Sequence, residues 1–215
     1  MALLILRSDF VASKKYTKEE AQRILCVAAA QYKEKLANRQ FLLIYKIQQT
    51  YEYEVVSFSP GNFLHLTGIV TEKRPVEFYK LCLKQRLSVR DIGFKTDGNT
   101  HRKLAVLGLL PELLYHRCWI GDTLGNDIAI RAEYYVGDTK CVMSLGFRSG
   151  RDYDFPITLL NMSIREVTRK EFKIYAIYTK KIGVPAYDLE PAYIEADFDL
   201  DKYRNYDFYP LLREE

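Results

Sequence analysis

Of the three histidines in the sequence, His65 has the surroundings best suited to proton transfer. The pattern of residues 62–69 predicts a strand that ends at Gly68, and alternation along it would place His65 and Thr67 on one face. Imidazole titrates near neutrality, and a neighbouring hydroxyl can orient it or a phosphate oxygen. A histidine beside leucines is also common as a hydrogen-bonded structural residue, so both interpretations stay open.

The other two histidines are weaker candidates for chemistry. His101 lies at the junction between a polar loop and a helix, and His116 lies near a predicted helix C-terminus, where a cation is favourable without any catalytic role. We therefore base the catalytic hypothesis on His65.

Several common catalytic and cofactor motifs are missing from the sequence. It contains no HxxxH, HExxH, GxGxxG, GxxxxGK[ST] or GxSxG pattern. The four cysteines contain no CxxC pair, so we expect reduced, partly buried thiols and no zinc site; they are Cys26, Cys82, Cys118 and Cys141. The sequence predicts no metal and no cofactor.

Metal-free cleavage of RNA is the chemistry that remains. A base takes the 2′-hydroxyl proton, cations stabilise the phosphorane, and an acid protonates the leaving oxygen. His65, Lys103, Arg148 and one or two hydroxyls would suffice. The position of Lys103 also fits a surface lysine whose stem covers an apolar face. Arg148 and Arg151 belong either to an ordinary basic turn or to a loop that faces phosphate.

Charge is unevenly distributed along the chain. The net charge is +4, but residues 186–215 hold nine acidic and three basic residues, a net −6, and the other 185 hold 29 basic and 19 acidic, a net +10. A basic body suits a polyanionic partner, and an acidic tail can compete for the same surface. The tail is either a solvated extension or a segment that docks its tyrosines and phenylalanines on another surface.

The periodicity predicts an α+β domain with helices mostly first and an antiparallel sheet mostly afterwards. Thr17 and Glu20 form a capping box at the start of the first helix. Pro111 should divide the leucine-rich segment 100–116 into two short helices or one kinked helix. The predicted helices are 17–37, 75–86 and 100–116, with a short turn at 88–92, and the predicted strands are 41–47, 51–59, 118–120, 128–136, 140–147 and 172–180, with a short apolar segment at 155–161.

The apolar N-terminus is too short for a signal sequence, because it is interrupted at Arg7 and Asp9. No later apolar run reaches the roughly 18 residues of a membrane span. We expect a soluble cytoplasmic protein that does not contact membranes, with one domain over 1–185 and an acidic, tyrosine-rich tail over 186–215.

A set of short motifs resembles phage-borne members of the barnase, EndoU, colicin and RelE-like nuclease superfamily, in an HLTG-containing branch. In order, these are Asn62-Phe63-Leu64-His65-Leu66-Thr67-Gly68-Ile69, Phe78-Tyr79, Arg86-Leu87-Ser88, Ile92, Lys103-Leu104 and Phe155-Pro156-Ile157-Thr158-Leu159-Leu160. The resemblance implies N-terminal helices, an antiparallel sheet of about four or more strands, and metal-independent cleavage of RNA.

Site residues follow from the resemblance position by position. His65 and Thr67 fall on the HLTG motif, Lys103 on the basic position of a helix, and Thr158 on the hydroxyl of the PxTLL segment. Thr158 is equally typical of a hydroxyl that is satisfied within a loop. Strand ends and a basic turn suggest further residues, namely Arg148 in catalysis and Arg151, Thr179 and Lys181 in substrate binding.

Two functions are compatible with the sequence. The first is an endoribonuclease of phage or mobile-element origin that acts as a toxin or effector, with RNA as substrate and an antitoxin or host protein as possible partner. The second is a non-catalytic protein that keeps the nuclease fold and either binds nucleic acid or inhibits a host protein through an acidic tail that mimics nucleic acid. Loss of cleavage without loss of binding in His65→Ala would favour the first.

Overall fold

The α+β architecture predicted from the sequence is confirmed. A computed structural model describes residues 14–124, 132–138 and 142–212. The helices are α1 (Lys18–Lys35), α2 (Asn62–Thr67), α3 (Pro75–Leu83), α4 (Asn99–Val106), α5 (Ile164–Val167) and α6 (Tyr209–Leu212). The strands are β1 (Arg39–Ile47), β2 (Thr50–Phe58), β3 (Trp119–Thr123), β4 (Tyr134–Gly137), β5 (Ser144–Arg148), β6 (Phe155–Leu160), β7 (Thr168–Lys181) and β8 (Tyr193–Ile194).

Helix α1 begins at the predicted capping box. The backbone N–H of Glu20 donates to the Thr17 hydroxyl at 3.1 Å, and the N–H of Thr17 donates to the Glu20 carboxylate at 2.8 Å. The bond from Thr17 holds the pKa of Glu20 below its usual value. One face of the helix packs into the core through Ala21, Leu25, Ala28, Ala29 and Tyr32.

The strands form one antiparallel sheet in the order β2-β1-β7-β3-β4-β5-β6. The second half of β7 pairs with β1, and its first half pairs with β3 on the opposite edge. Where β3 stops, β8 continues that edge by pairing with Ala176 and Ile177. Strand β7 therefore connects the two halves of the sheet.

The sheet curls until its first and last strands meet. Asp154, just before β6, forms a parallel bridge with Val56 of β2. Its carbonyl accepts from the Ser57 N–H at 2.8 Å, and its own N–H donates to the Val55 carbonyl at 2.9 Å. Because this seam joins the two edge strands, part of each edge has a hydrogen-bonded partner.

The two faces of β1 and β7 are covered by different parts of the chain. Phe41 and Leu43 point into the main core with the helices, whereas Leu42 and Ile44 point the other way. Residues of the acidic tail cover this second face, and four of them are buried: Tyr187, Phe198, Phe208 and Leu212. The tail is thus packed through its aromatic side chains, and the solvated-extension interpretation is wrong for this segment. The domain boundary at residue 185 stays a prediction.

A buried carboxylate fastens the tail to the sheet. Glu195 is 6% exposed and accepts from Arg117 at 2.7 and 2.9 Å, from Lys173 at 3.0 Å and from the Tyr193 hydroxyl at 2.5 Å. Burial alone would raise the pKa of Glu195, but these hydrogen bonds outweigh burial and lower it. The charge is satisfied from three sides, as a buried carboxylate requires.

One predicted strand is wrong: residues 62–67 form helix α2. Phe63, Leu66 and Thr67 are buried at spacings of three and four, which fit a helix turn as well as the alternation first assigned. Gly68 ends the helix in the left-handed conformation with φ of +69°. His65 and Thr67 therefore do not share a face, because residues two apart on a helix point in different directions.

Most of the other predicted helices and strands are present, with ends that differ by a few residues. The segment containing Pro111 forms two short helices, α4 and a 3₁₀ helix over Leu107–Tyr115, but they meet after Val106, and Pro111 lies inside the 3₁₀ helix and does not divide the segment. Cys82 and Cys118 are buried and Cys26 is half-buried, all as free thiols, while Cys141 and the predicted strand residues 128–131 and 140–141 lie outside the described residues. Among the described residues, none of the helices combines the length and apolar character that a bilayer span requires.

The packing of the tail generates a stability prediction. Phe208 is 1% exposed, so Phe208→Ala should lower the free energy of unfolding by about 3–5 kcal/mol in a single cooperative transition. Urea denaturation followed by tryptophan fluorescence measures this. The matched control is Tyr209→Ala on the next, partly exposed position, and equal stability of the two variants would contradict the packed tail.

Candidate functional site

The HLTG motif forms the C-terminal turn of α2. The Thr67 hydroxyl donates to the Leu64 carbonyl at 2.8 Å and accepts from the Ile69 N–H at 3.1 Å. Thr67 is fully buried, so its hydroxyl closes this turn and does not lie beside the His65 ring. The expectation that the two side chains are neighbours is corrected accordingly.

Helix α4 caps the end of α2 with two side chains. The Thr100 hydroxyl donates to the Gly68 carbonyl at 2.6 Å and accepts from the Lys95 N–H at 3.0 Å. One turn further along α4, the Lys103 ammonium donates to the His65 carbonyl at 2.9 Å. A cation is favourable here because carbonyls at a helix C-terminus carry partial negative charge.

The close approach of α4 to this turn requires a glycine at position 68. A Cβ placed there would lie 2.9 Å from Cδ of Lys103 and 3.3 Å from Cα of Thr100. Its positive φ would also strain any other residue. The HLTG sequence at the end of α2 and the Thr100 and Lys103 positions of α4 thus form one contact region, the α2–α4 junction.

Lys103 has an unusual environment for a lysine. It is 4% exposed, and burial, assisted by the nearby charge of Lys95, lowers its pKa to about 8, although Asp97 acts in the opposite direction. An amine with this pKa exchanges its proton in mildly alkaline solution. The same contacts also give Lys103 a structural role as the cap of α2.

His65 is exposed on α2, and its backbone carbonyl accepts from Lys103. The other histidines have structural partners. Nδ1 of His101 accepts from the Tyr16 N–H at 3.1 Å and its ring packs against Phe94, and His116 lies 3.6 Å from the Glu112 carboxylate. His65 is the exposed histidine whose backbone carbonyl accepts a hydrogen bond from a buried cation.

Thr158 lies on β6, the strand next to α2, but it faces away from the junction. Its neighbour Leu159 points into the main core. Thr158 points to the other face of the sheet, where its methyl and the Tyr135 ring would each lie 2.8 Å from a Cβ added at Gly146. Its buried hydroxyl has no hydrogen-bond partner among the described residues. No described contact joins Thr158 to His65 or Lys103.

The strand-end candidates are spread over the sheet. Arg148 and Arg151 are exposed at and just after the end of β5, close to the seam. Thr179 is buried opposite Phe41, with no partner for its hydroxyl in the described part of the chain, and Lys181 is exposed opposite Arg39. The structure brings His65 and Lys103 together and does not join these four residues to them through any described contact.

An acidic cavity beside the seam was missed by the sequence reasoning. It has a volume of about 220 Å³, and its polar lining comprises Tyr45, Glu54, Asp122, Glu133, Tyr134, Ser149 and Asp154. The Tyr134 hydroxyl donates to Asp154 at 2.7 Å. Burial, and then the nearby Asp154 carboxylate, raise the pKa of Glu54 to about 7. The only sequence signal was the alternating acidic pair of Glu52 and Glu54, because the other residues come from different strands.

The Glu54 carboxyl should make stability depend on pH. The pKa of Glu54 is about 7 in the folded chain and about 4.5 for an unperturbed glutamate, so the folded state binds the proton more tightly. The stability that this proton contributes is lost as pH rises from about 4.5 through about 7. Glu54→Gln should therefore raise the melting temperature more at pH 8 than at about pH 5. The exposed Glu52→Gln is the control, and equal shifts for Glu54→Gln at both pH values would contradict the assignment.

Comparison with known proteins identifies one family. A family model described as phage-Barnase-EndoU-ColicinE5/D-RelE like nuclease4 matches residues 24–196, which include the last two thirds of α1, the α2–α4 junction and the whole sheet. No curated protein and no solved structure matches the chain. The described residues contain no group of three or more histidine, cysteine, aspartate or glutamate side chains arranged to hold a metal ion.

Proposed function

Because the chain belongs to the phage-Barnase-EndoU-ColicinE5/D-RelE like nuclease4 family, we propose that it is an endoribonuclease whose reaction centre is the α2–α4 junction. The observation that carries the proposal is the buried Lys103 ammonium, which donates at 2.9 Å to the backbone carbonyl of the exposed His65. This arrangement combines a group that transfers protons near neutrality with a fixed positive charge.

In the proposed reaction His65 removes the proton from a 2′-hydroxyl of RNA. The 2′-oxygen forms a bond to the adjacent phosphorus, the bond from phosphorus to the 5′-oxygen breaks, and the leaving oxygen takes up a proton. The products are a 2′,3′-cyclic phosphate and a 5′-hydroxyl. The RNA supplies its own nucleophile, so the chemistry needs no metal and no cofactor.

The other site residues have supporting roles in the proposal. Lys103 fixes the backbone of His65 and places a positive charge beneath the phosphorane, and Thr67 holds the turn closed through its two hydrogen bonds. Arg148 adds positive charge, and the exposed Arg151 and Lys181 belong to the wider substrate-binding surface. Thr158 and Thr179 are buried, so the proposal gives neither hydroxyl a contact with the substrate. We further propose a toxin or effector role in the cytoplasm, with an antitoxin or host protein as partner.

One observation favours the non-catalytic alternative. Lys103, Thr67 and Thr100 are all engaged in capping α2, which leaves His65 as the exposed group of the junction. A protein that keeps the nuclease fold only to bind nucleic acid, or to inhibit a host protein, needs the same caps for stability. Activity measurements distinguish the two functions.

Cleavage of RNA in the presence of EDTA tests the proposed reaction. The wild type should cleave total RNA or a tRNA pool, and His65→Ala should reduce the rate by about 10²–10⁴-fold, because a general base contributes that much. The control is His116→Ala, which removes an exposed histidine outside the junction. Equal cleavage by His65→Ala and wild type would exclude His65, and RNA binding without products would favour the alternative.

The role of Lys103 predicts a pH dependence. If its ammonium supports the reaction, cleavage should fall as pH rises through about 8, because the amine then loses its proton. Lys103→Arg keeps the charge and should move this fall to higher pH, whereas Lys103→Met should lower the rate about tenfold or more at every pH. Melting temperatures confirm that the variants fold, and an unchanged pH profile in Lys103→Arg would contradict the role.

A further inference from the structure

The outer face of α3 forms a basic groove. The groove has a volume of about 380 Å³ and is lined by Arg74, Val76, Glu77, Lys80, Leu81, Lys84 and Arg86. Its four cationic side chains are all exposed. Concave surfaces with an excess of one charge attract ligands of the opposite charge.

Helical spacing explains why this face is free. Phe78, Tyr79 and Cys82 point into the core, and Lys80 and Lys84 lie four residues apart on the opposite side. Pro75 starts the helix just after Arg74, and the turn after the helix carries Arg86. The cations therefore follow the length of the helix and both of its ends.

The positive charge of the groove is not neutralised by the protein. Within the described ranges, Arg74, Lys80, Lys84 and Arg86 make no ion pair and no side-chain hydrogen bond. The carboxylate of Glu77 lies 3.9 Å from Lys73 outside the groove. Four cations and one carboxylate therefore line the groove, which leaves it with an excess of positive charge.

The groove is attached to the helix that carries His65. A Cβ at Gly61, at the start of α2, would lie 3.9 Å from a methyl of Val76 at the rim of the groove. Beneath it, the Phe63 ring of α2 packs against Tyr79 at 5.4 Å and Phe78 at 6.4 Å between ring centres. This aromatic packing fixes the groove relative to the α2–α4 junction.

The acidic tail does not neutralise this surface. Its buried aromatic residues pack on the face of β1 and β7 that points away from the helices, Ala192 and Tyr193 pack at the edge of the main core, and Glu195 is paired with Arg117 and Lys173. The groove is therefore open to another polyanion.

We propose that the α3 groove binds the phosphodiester backbone of an RNA strand and guides it to His65. Arginine and lysine are the usual phosphate ligands, and the exposed Val76 and the half-buried Leu81 offer apolar contacts to riboses or bases. The proposal rests on the proposed function for its substrate but concerns a separate surface, which none of the catalytic motif residues lines.

Binding of a fluorescein-labelled RNA oligonucleotide, followed by fluorescence anisotropy, tests the groove. The RNA carries 2′-O-methyl groups, which prevent attack by the 2′-oxygen and therefore keep the probe intact. The variant Lys80→Gln/Lys84→Gln should bind about tenfold more weakly near 0.1 M salt, and the slope of log affinity against log salt should fall by about 1.4, or about 0.7 for each lost phosphate contact.

The control carries the same change in net charge elsewhere. Lys18→Gln/Lys33→Gln removes two exposed lysines of α1 that do not line the groove, and its affinity and salt slope should stay close to those of the wild type. An equal loss in both double variants would show a general electrostatic effect and overturn the proposal. Equal or tighter binding of polyglutamate would overturn the assignment to RNA.

Failure of the groove and failure of the nuclease give different results. If the wild type binds but does not cleave, and the groove variant loses binding, the groove assignment holds and the proposed reaction fails. If the wild type cleaves unmodified RNA and the groove variant binds and cleaves like the wild type, the groove assignment fails and the reaction stands.

Discussion

The continuity of β7 is the constraint on which the other parts depend. Its 14 residues pair with β3 in the first half and with β1 in the second, and β8 joins the second half on the other edge. Its two faces contact different layers, because Ile177 points into the main core and Ala176 toward the tail. A break in this strand would separate the sheet halves and remove the surface on which the tail packs.

The curved sheet and the helices place acidic and basic side chains in different parts of the protein. Closure at Asp154 brings carboxylates of separate strands into one cavity, while the helices on the other side leave the cations of α3 exposed. A phosphate chain is repelled by the first surface and attracted by the second. The net charge of +4 is therefore less informative than its distribution.

The contacts of the α2–α4 junction depend on one another. Gly68 lets α4 approach, and Lys103 then satisfies the His65 carbonyl at the end of α2. Burying an ammonium is costly, and the lowered pKa of Lys103 reflects that cost. The same contact ties this positive charge to the backbone of the exposed His65.

The sequence by itself determined what depends on local patterns. The capping box of α1, the presence of two short helices in the segment 100–116, the α+β class and the nuclease family were predicted correctly. The break between those helices lies after Val106 and not at Pro111, which lies inside the second helix. The 62–69 segment was predicted incorrectly as a strand. A short apolar run fits the period of a strand and that of a helix, and only its packing on α3 and β6 selects the helix. Tertiary structure also decided the acidic cavity, the basic groove and the burial of Lys103 and Thr158. These depend on pairing between distant strands and on which helix face is covered, and neither is encoded in the spacing of neighbouring residues.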